Sequence, residues 1–191
     1  MSDLNFTLFE TAIGRSAIVW GAGGIRRTLL PEAEAAETHR LVMKLFPASS
    51  EIEAEGDIAA TIVAIRALLE GGREDLREAP LDMTGVEPFP ARVYEALRRV
   101  GPGETITYGA LATKVGADGE ARAIGAILGR NPFPIIVPCH RVLAAGGKAG
   151  GFSAPGGVAT KLVMLTRERA RTADAPGLFD GIGLPLAAKR P

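Results

Sequence analysis

Pro132, Pro134 and Pro138 fall within seven residues of one another and constrain the chain more tightly than any other stretch. Each fixes φ and removes a backbone donor, so no helix can run through them. The apolar Ile135-Ile136-Val137 between them is β-branched, and the segment reads as a short, buried, extended rod. At its end stand Cys139, the only cysteine, and His140, one of two histidines. The rod is expected to present Cys139 on a stiff mount.

A thiol beside an imidazole has two readings. One is a small buried hydrophobe next to a satisfied core histidine; the other is a nucleophile activated by its neighbour. Adjacent residues on a strand point to opposite faces, so the two cannot pair in regular strand geometry. They can cooperate if the chain turns after Pro138, directly or through one water. Both readings stay open on these residues alone.

Composition narrows the setting. With 47% apolar and 23% charged residues over a length of 191, the balance is that of an ordinary globular chain that needs no covalent staples. A single cysteine excludes an internal disulfide and fits a reducing compartment. No long uncharged apolar run occurs, and Met1-Ser2-Asp3-Leu4-Asn5 lacks the basic and apolar regions of a leader. A cytoplasmic protein without a membrane partner is expected. The charges balance at 22 of each sign but are unevenly placed: residues 1–84 hold 8 basic and 14 acidic, 85–170 hold 11 and 6, and 171–191 hold 3 and 2. A basic half carrying the Cys-His pair suits a nucleic-acid face beside an acidic scaffold, although many metabolic enzymes show a similar excess.

Residues 1–84 read as an α+β unit. Asn5 to Thr11, Ser16 to Trp20 and Ile25 to Leu30, separated by Gly14-Arg15 and by the glycines at 21, 23 and 24, form a β-meander. Pro31 opens a helix from about Glu32 to Phe46. A second helix from about Asp57 to Glu70 carries Ile58, Ile62, Ile65 and Leu69 on one face, with Asp57 as its cap and Gly71-Gly72 as its stop. The glycine-rich turn lacks P-loop chemistry, and Glu51, Glu53, Glu55 and Asp57 lack metal-loop spacing, so both are structural. His39 is expected on a helix surface. Nothing in this half suggests catalysis.

Around Leu81 to Pro90, Gly85, Pro88 and Pro90 interrupt the pattern and mark a boundary. Arg92 to Val100 is a helix, with Val93, Leu97 and Val100 inward, stopped by Gly101-Pro102-Gly103. Thr107 caps a short helix from Tyr108 to Val115, and another spans about Glu120 to Leu128. The pair is a helix-turn-helix or an ordinary helical hairpin. A last helix runs from about Val158 to Arg169. Residues 171–191, with three prolines and no periodicity, are expected to be a flexible tail.

Pro138-Cys139-His140-Arg141-Val142, with Arg130-Asn131-Pro132 and Ile135-Ile136-Val137 before it, resembles the active-site motif of the O6-alkylguanine-DNA alkyltransferases. Gly103-Glu104-Thr105-Ile106-Thr107-Tyr108-Gly109-Ala110-Leu111-Ala112 and Ala121-Arg122-Ala123-Ile124-Gly125 resemble that family's helix-turn-helix. The likeness is strong over residues 85–170 and loose before them. It implies an RNase H-like N-terminal domain over 1–84 and a mostly helical, winged helix-turn-helix-like domain over 85–170 that enters the minor groove. By that resemblance Cys139 receives the alkyl group, His140 is its base through a water, Glu168 holds His140, and Asn131 supports the turn. Arg122 fills the space of a flipped guanine, Tyr108 presses on a 3′ phosphate, the small Ala121, Ala123 and Gly125 allow close approach, and Arg130 joins the DNA face. Pro134, Val142, Phe152 and Ser153 shape the alkyl pocket, and Lys161 stands where the family has it.

Two departures are expected to alter that pocket. Phe152 replaces a tyrosine of well-known members, and Ala154-Pro155 is an insertion. The implied partner is duplex DNA containing O6-alkylguanine, with O4-alkylthymine a further candidate. The protein is expected to be a monomer that uses no cofactor or metal and acts once per molecule. Three other readings are a lesion binder that transfers nothing, a Cys-His hydrolase, and a plain helix-turn-helix regulator. Cys139 argues against the first, the adjacency of Cys139 and His140 against the second, and survival of function in Cys139→Ala would mark the third.

Overall fold

Alternation of apolar residues along the first thirty positions produces a twisted antiparallel meander. The computed structural model describes residues 4–172, so the expected tail falls outside the described residues except for Arg171 and Thr172. Strands β1 (Asn5–Thr11), β2 (Gly14–Gly21) and β3 (Gly24–Leu29) pair in sequence, with an irregularity between Val19 and Trp20. A short strand β4 (Ser50–Glu51) adds to the other side of β1 in parallel, giving the order β3-β2-β1-β4. The sheet is therefore mixed, where the meander alone had been expected. Part of the acidic stretch supplies that strand.

The two faces of the sheet serve different cores, as the two-residue period of a strand dictates. Phe6, Ala17, Val19 and Leu29 pack against α1 (Ala35–Leu45) through Val42. Phe9, Ile18 and Ile25 face the main core, which includes α2 (Gly56–Leu69) and most of the apolar residues that follow it. Helix α1 begins three residues later than expected. Thr38 Oγ1 accepts from Glu32 N at 3.2 Å and donates to Arg15 O at 3.1 Å, tying the preceding residues to the β1–β2 side instead. In α2 the expected Ile58, Ile62, Ile65 and Leu69 are all buried, but Glu55 occupies the cap position and Asp57 lies inside the first turn. Asp57 is thus a favourable charge near the positive helix end rather than a cap.

β3 would be an open sheet edge, with unpaired donors and acceptors along it. It is closed by two later segments. Ile25 N donates to Pro80 O at 2.7 Å and Ile25 O accepts from Asp82 N at 2.8 Å, while Thr28 N donates to Pro132 O at 3.0 Å. The edge of the first half is in this way the template on which the proline-rich segment is laid.

Helix α3 (Pro88–Arg98) starts at the prolines that had been read as interruptions, because a missing N–H costs nothing in the first turn. It buries Val93, Tyr94 and Leu97. Next come β5 (Ile106–Thr107), α4 (Tyr108–Lys114) and α5 (Ala121–Leu128), with Leu111, Ala112, Ile124 and Ile127 packed in the main core. β5 pairs in parallel with β6 (Val142–Leu143), the strand just after the Cys-His pair. Helix α6 (Gly157–Arg167) closes the order. Gly156 takes a left-handed φ of 75° there, and a Cβ on it would meet Thr160 Oγ1 at 2.3 Å. No helix among the described residues is long and apolar enough to cross a membrane.

Thr107 caps α4 as expected, its Oγ1 accepting from Ala110 N at 3.1 Å. Thr107→Ala should lower the unfolding free energy by about 1 kcal/mol, as loss of an N-cap acceptor typically does, measured by chemical denaturation.

Candidate active site

The proline segment is not the extended rod that its composition suggests. Residues 134–136 form a turn, Val137 N donates back to Phe133 O at 2.7 Å, and Ile135 sits at φ 77°. A positive φ is an outlier for a β-branched residue, so the surroundings must impose it. Asn131 does so from inside the turn. Its Oδ1 accepts from Phe133 N at 2.9 Å and its Nδ2 donates to Val137 O at 2.8 Å. Thr28 Oγ1 donates to Pro134 O at 2.7 Å from the sheet edge. The mount is stiff because it is cross-braced, not because it is straight.

The braced turn delivers a single 3-10 turn, Cys139–Arg141. In that geometry successive side chains diverge by about 120° instead of pointing to opposite faces, so Cys139 and His140 can serve one site. Cys139 is 9% exposed and reaches the cavity described below, whereas His140 is fully buried. His140 Nε2 lies 2.9 Å from Glu168 Oε1. Arg141 clamps the same carboxylate with two bonds of 2.8 Å, from Nε to Oε2 and from Nη2 to Oε1, and gives its remaining arm to Val100 O at 2.6 Å. Gly103 N adds a longer contact of 3.3 Å to Glu168 Oε2.

This network fixes the protonation of the site. Burial would raise Glu168, but the hydrogen bonds and charges of His140 and Arg141 outweigh it and hold the carboxyl at about 2. An ionised carboxylate only accepts, so His140 Nε2 must carry the proton. Burial also pushes the imidazole below its ordinary value, against the pull of Glu168, so it is neutral at pH 7. Its Nδ1 then bears a lone pair, and that atom is buried with no hydrogen-bond partner among the described residues. Burial raises the Cys139 thiol, opposed by Asn131 and by the charge of Lys161. The resting pair is therefore thiol and neutral base, which is competent for proton transfer from sulfur to nitrogen.

Above Cys139 opens a cavity of about 590 Å³. Tyr108, Asn131, Pro134, Phe152 and Ser153 line it, together with Ala154 and Pro155. Val142 does not reach it: its side chain is in the core, and its carbonyl accepts from buried Lys161 Nζ at 2.6 Å. Burial lowers Lys161 to about 8. Tyr108 OH donates to Gly151 O at 3.4 Å, tying α4 to the pocket loop. Gly129 passes so close to that loop that a Cβ on it would lie 3.2 Å from Ser153 Oγ.

On α5, Arg122 is exposed and Ala121, Ala123 and Gly125 are partly exposed, with Arg130 exposed just beyond the helix. Ala121 and Gly125 are four apart and share a helical side, and Gly125 also lines the cavity. The helix face and the thiol pocket are therefore contiguous. Two groups escaped the sequence reading. Arg141 had a signal, its place inside the Cys-His motif, but its partner is distant in sequence. Thr28 had none, since only the folded sheet edge brings it to the proline turn.

The family model described as "6-O-methylguanine DNA methyltransferase, DNA binding domain" matches residues 88–170. A "DNA base-flipping protein" of Thermus thermophilus is 42% identical over 132 residues, covering 69% of this chain and 86% of that protein. A "methylated-DNA–protein-cysteine methyltransferase" of Methanothermobacter thermautotrophicus is 34% identical, covering 79% of this chain and 77% of the relative. The protein of that name from Mycobacterium tuberculosis is 44% identical over 103 residues, which span 61% of its length. In structure, the crystal form of Mycobacterium tuberculosis OGT in complex with DNA superposes with a TM-score of 0.69 at 31% identity, covering 92% of this chain and 99% of that one.

Removing the carboxylate from this network should be costly. Glu168→Ala leaves the Arg141 guanidinium buried and unpaired, and should destabilise the protein by about 3–5 kcal/mol at pH 7. The folded pKa of Glu168 is depressed, so its stabilisation is full above the unfolded value of 4.5 and is lost as pH falls through about 2. The gap between native and variant stabilities, followed by denaturation at stepped pH, should close across that window.

Proposed function

The chain belongs to the methylated-DNA–protein-cysteine methyltransferase family, and on that footing we propose that it repairs O6-alkylguanine in DNA by moving the alkyl group to Cys139. The observation that carries the reading is a cavity-lining Cys139 followed directly by a buried His140, whose Nε2 lies 2.9 Å from Glu168 Oε1 and whose Nδ1 has no hydrogen-bond partner among the described residues.

The O6 substituent lies inside the duplex, out of line for attack, so the nucleotide must leave the stack. Extrusion costs on the order of a few kcal/mol, less for a lesion whose pairing is already impaired. Arg122, exposed on α5, fills the gap. Ala121, Ala123 and Gly125 let the helix backbone approach the minor groove, Tyr108 meets the 3′ phosphate, and Arg130 adds positive charge. Residues 85–170 are the part that faces DNA, with the N-terminal half bracing the proline turn.

In the cavity the base is held between Phe152 and Pro134, with Ser153 within the loop as a donor toward O6. His140 Nδ1 takes the Cys139 proton through a water. The thiolate attacks the alkyl carbon, the S–C bond forms, the C–O6 bond breaks, and its electron pair passes to the guanine, which takes up a proton. The products are guanine and an S-alkyl cysteine. Water does not cleave that thioether under mild conditions, so each molecule reacts once.

Intact mass after incubation with an O6-methylguanine duplex should show one added methyl per chain, mapped to Cys139, with no further turnover. Unchanged mass with tight, lesion-preferring binding would overturn the transfer and leave a damage sensor. Cys139→Ala should abolish transfer yet retain binding. Arg122→Ala should slow transfer from duplex on the order of tenfold while sparing free O6-alkylguanine, because only the duplex requires flipping. Equal losses on both substrates would refute the flipping role.

A further inference from the structure

Helix α2 has the composition of a buried helix, yet only one of its sides is covered. Ile58, Ile62, Ile65, Leu68 and Leu69 face the main core. On the opposite side Ala60, Val63 and Ala67 follow the i, i+3, i+7 spacing of a second apolar stripe, and none of the three is buried. Val63 is 63% exposed, more than any other large apolar residue among the described residues. A single exposed valine would need no explanation. A solvent-facing side with no charge between Asp57 and Arg66 does, because a helix apolar all round belongs in an interior.

The chain itself supplies a cover. α6 ends beside the C-terminal end of α2, where Arg167 Nη1 donates to Leu69 O and Nη2 to Ala12 O, both at 3.0 Å. Residues 173–191 continue from there, and their composition is not that of a solvated segment. Leu178, Phe179, Ile182, Leu184 and Leu186 stand close together, Gly181, Gly183 and Pro185 between them disfavour a helix, and Lys189 and Arg190 follow. The side of α2 has the same order. From its C-terminal end come Ala67, Val63 and Ala60, then the exposed Asp57, Glu55 and Glu53. Glu53 and Glu55 line a recess of about 400 Å³ with Trp20 and Ile52. The 14 residues of α2 make a helix about 21 Å long, and an extended chain advances about 3.3 Å per residue, so the stretch from Thr172 to Lys189 spans it with length to spare.

We propose that the outer side of α2 is the docking surface for residues 173–191 of the same chain, with Leu178 and Phe179 on Val63, and with Lys189 and Arg190 on Glu53 and Glu55 beside Trp20. Two apolar surfaces that would otherwise both face water drive the contact. The opposite charges at the far end fix its direction, and a guanidinium over an indole face adds to the attraction. The segment follows α6 just after Glu168, so docking fastens from behind the helix end that holds His140.

Chymotrypsin cleavage after Phe179 in the full-length native chain tests it, with a synthetic peptide of residues 173–191 as the unprotected reference. A segment docked about nine-tenths of the time is cut about tenfold more slowly than the free peptide, since cleavage follows the open population. Val63→Asp, at an exposed position remote from the thiol, should bring the rate to within about twofold of the peptide's, and Ala60→Asp should act in the same direction. Lys189→Glu combined with Arg190→Glu should also speed cleavage, and should increase acrylamide quenching of Trp20, the only tryptophan. Cleavage of the native chain at the peptide's rate overturns the proposal, and so does slow cleavage that Val63→Asp and Ala60→Asp both leave unchanged. Protection that strengthens with protein concentration overturns it in favour of a second copy on the same side of α2.

Discussion

The site depends on one buried carboxylate. Glu168, at the end of α6, gathers His140, Arg141 and the Gly103 amide at its two oxygens. Taking such a charge out of water costs several kcal/mol unless its acceptor sites are filled, and here each oxygen has two partners. The pairing sets the imidazole tautomer and, through Arg141 and Val100, pins the end of α3 to the 3-10 turn. The position of the 3-10 turn and the tautomer of His140 thus share one electrostatic source. A residue at 168 with no acceptor oxygen would lose both.

The second requirement is a rigid approach to Cys139, and it is met by hydrogen bonds across a turn. Asn131 spans the turn from within, while β3 holds it from outside through the backbone and hydroxyl of Thr28. The positive φ of Ile135 is what a compact turn costs when a buried apolar residue occupies its left-handed position. The same contacts cover an otherwise open strand edge. Sheet protection and site assembly are one set of bonds, which is why the acidic half cannot be regarded as a mere companion of the basic one.

How much of this was legible follows from the range of each interaction. Local signals read well: the meander, the apolar stripe of α2, the Thr107 cap and the glycine after α2 are set by neighbours in sequence. The proline segment was misread because composition reports that a helix is impossible and β-branched residues favour strands, yet it is silent on a side chain such as Asn131 folding the backbone back on itself. The prolines at 88 and 90 looked like breakers for a similar reason, since only their place in the helix tells a first turn from an interior. Of the site, the Cys-His pair stood out from the residues themselves, while its roles and Glu168 were reached through resemblance. Thr28 was not, because its role arises from which sheet edge meets which turn.

The resting state carries one more consequence. A thiol raised by burial beside a neutral imidazole holds no standing thiolate, in contrast to a site that keeps thiolate and imidazolium paired. Thiolates are the form that oxidants and stray electrophiles consume. A protein that spends each molecule in one reaction loses capacity with every such event, so reactivity held in reserve is worth more to it than to a turnover enzyme. On the proposed reaction, proton transfer to His140 is needed only once an alkyl carbon is in line, and the energy that brings the flipped base into the cavity is what makes the thiolate accessible. Lys161, buried nearby and felt electrostatically at the sulfur, favours the anion at that moment without creating it beforehand.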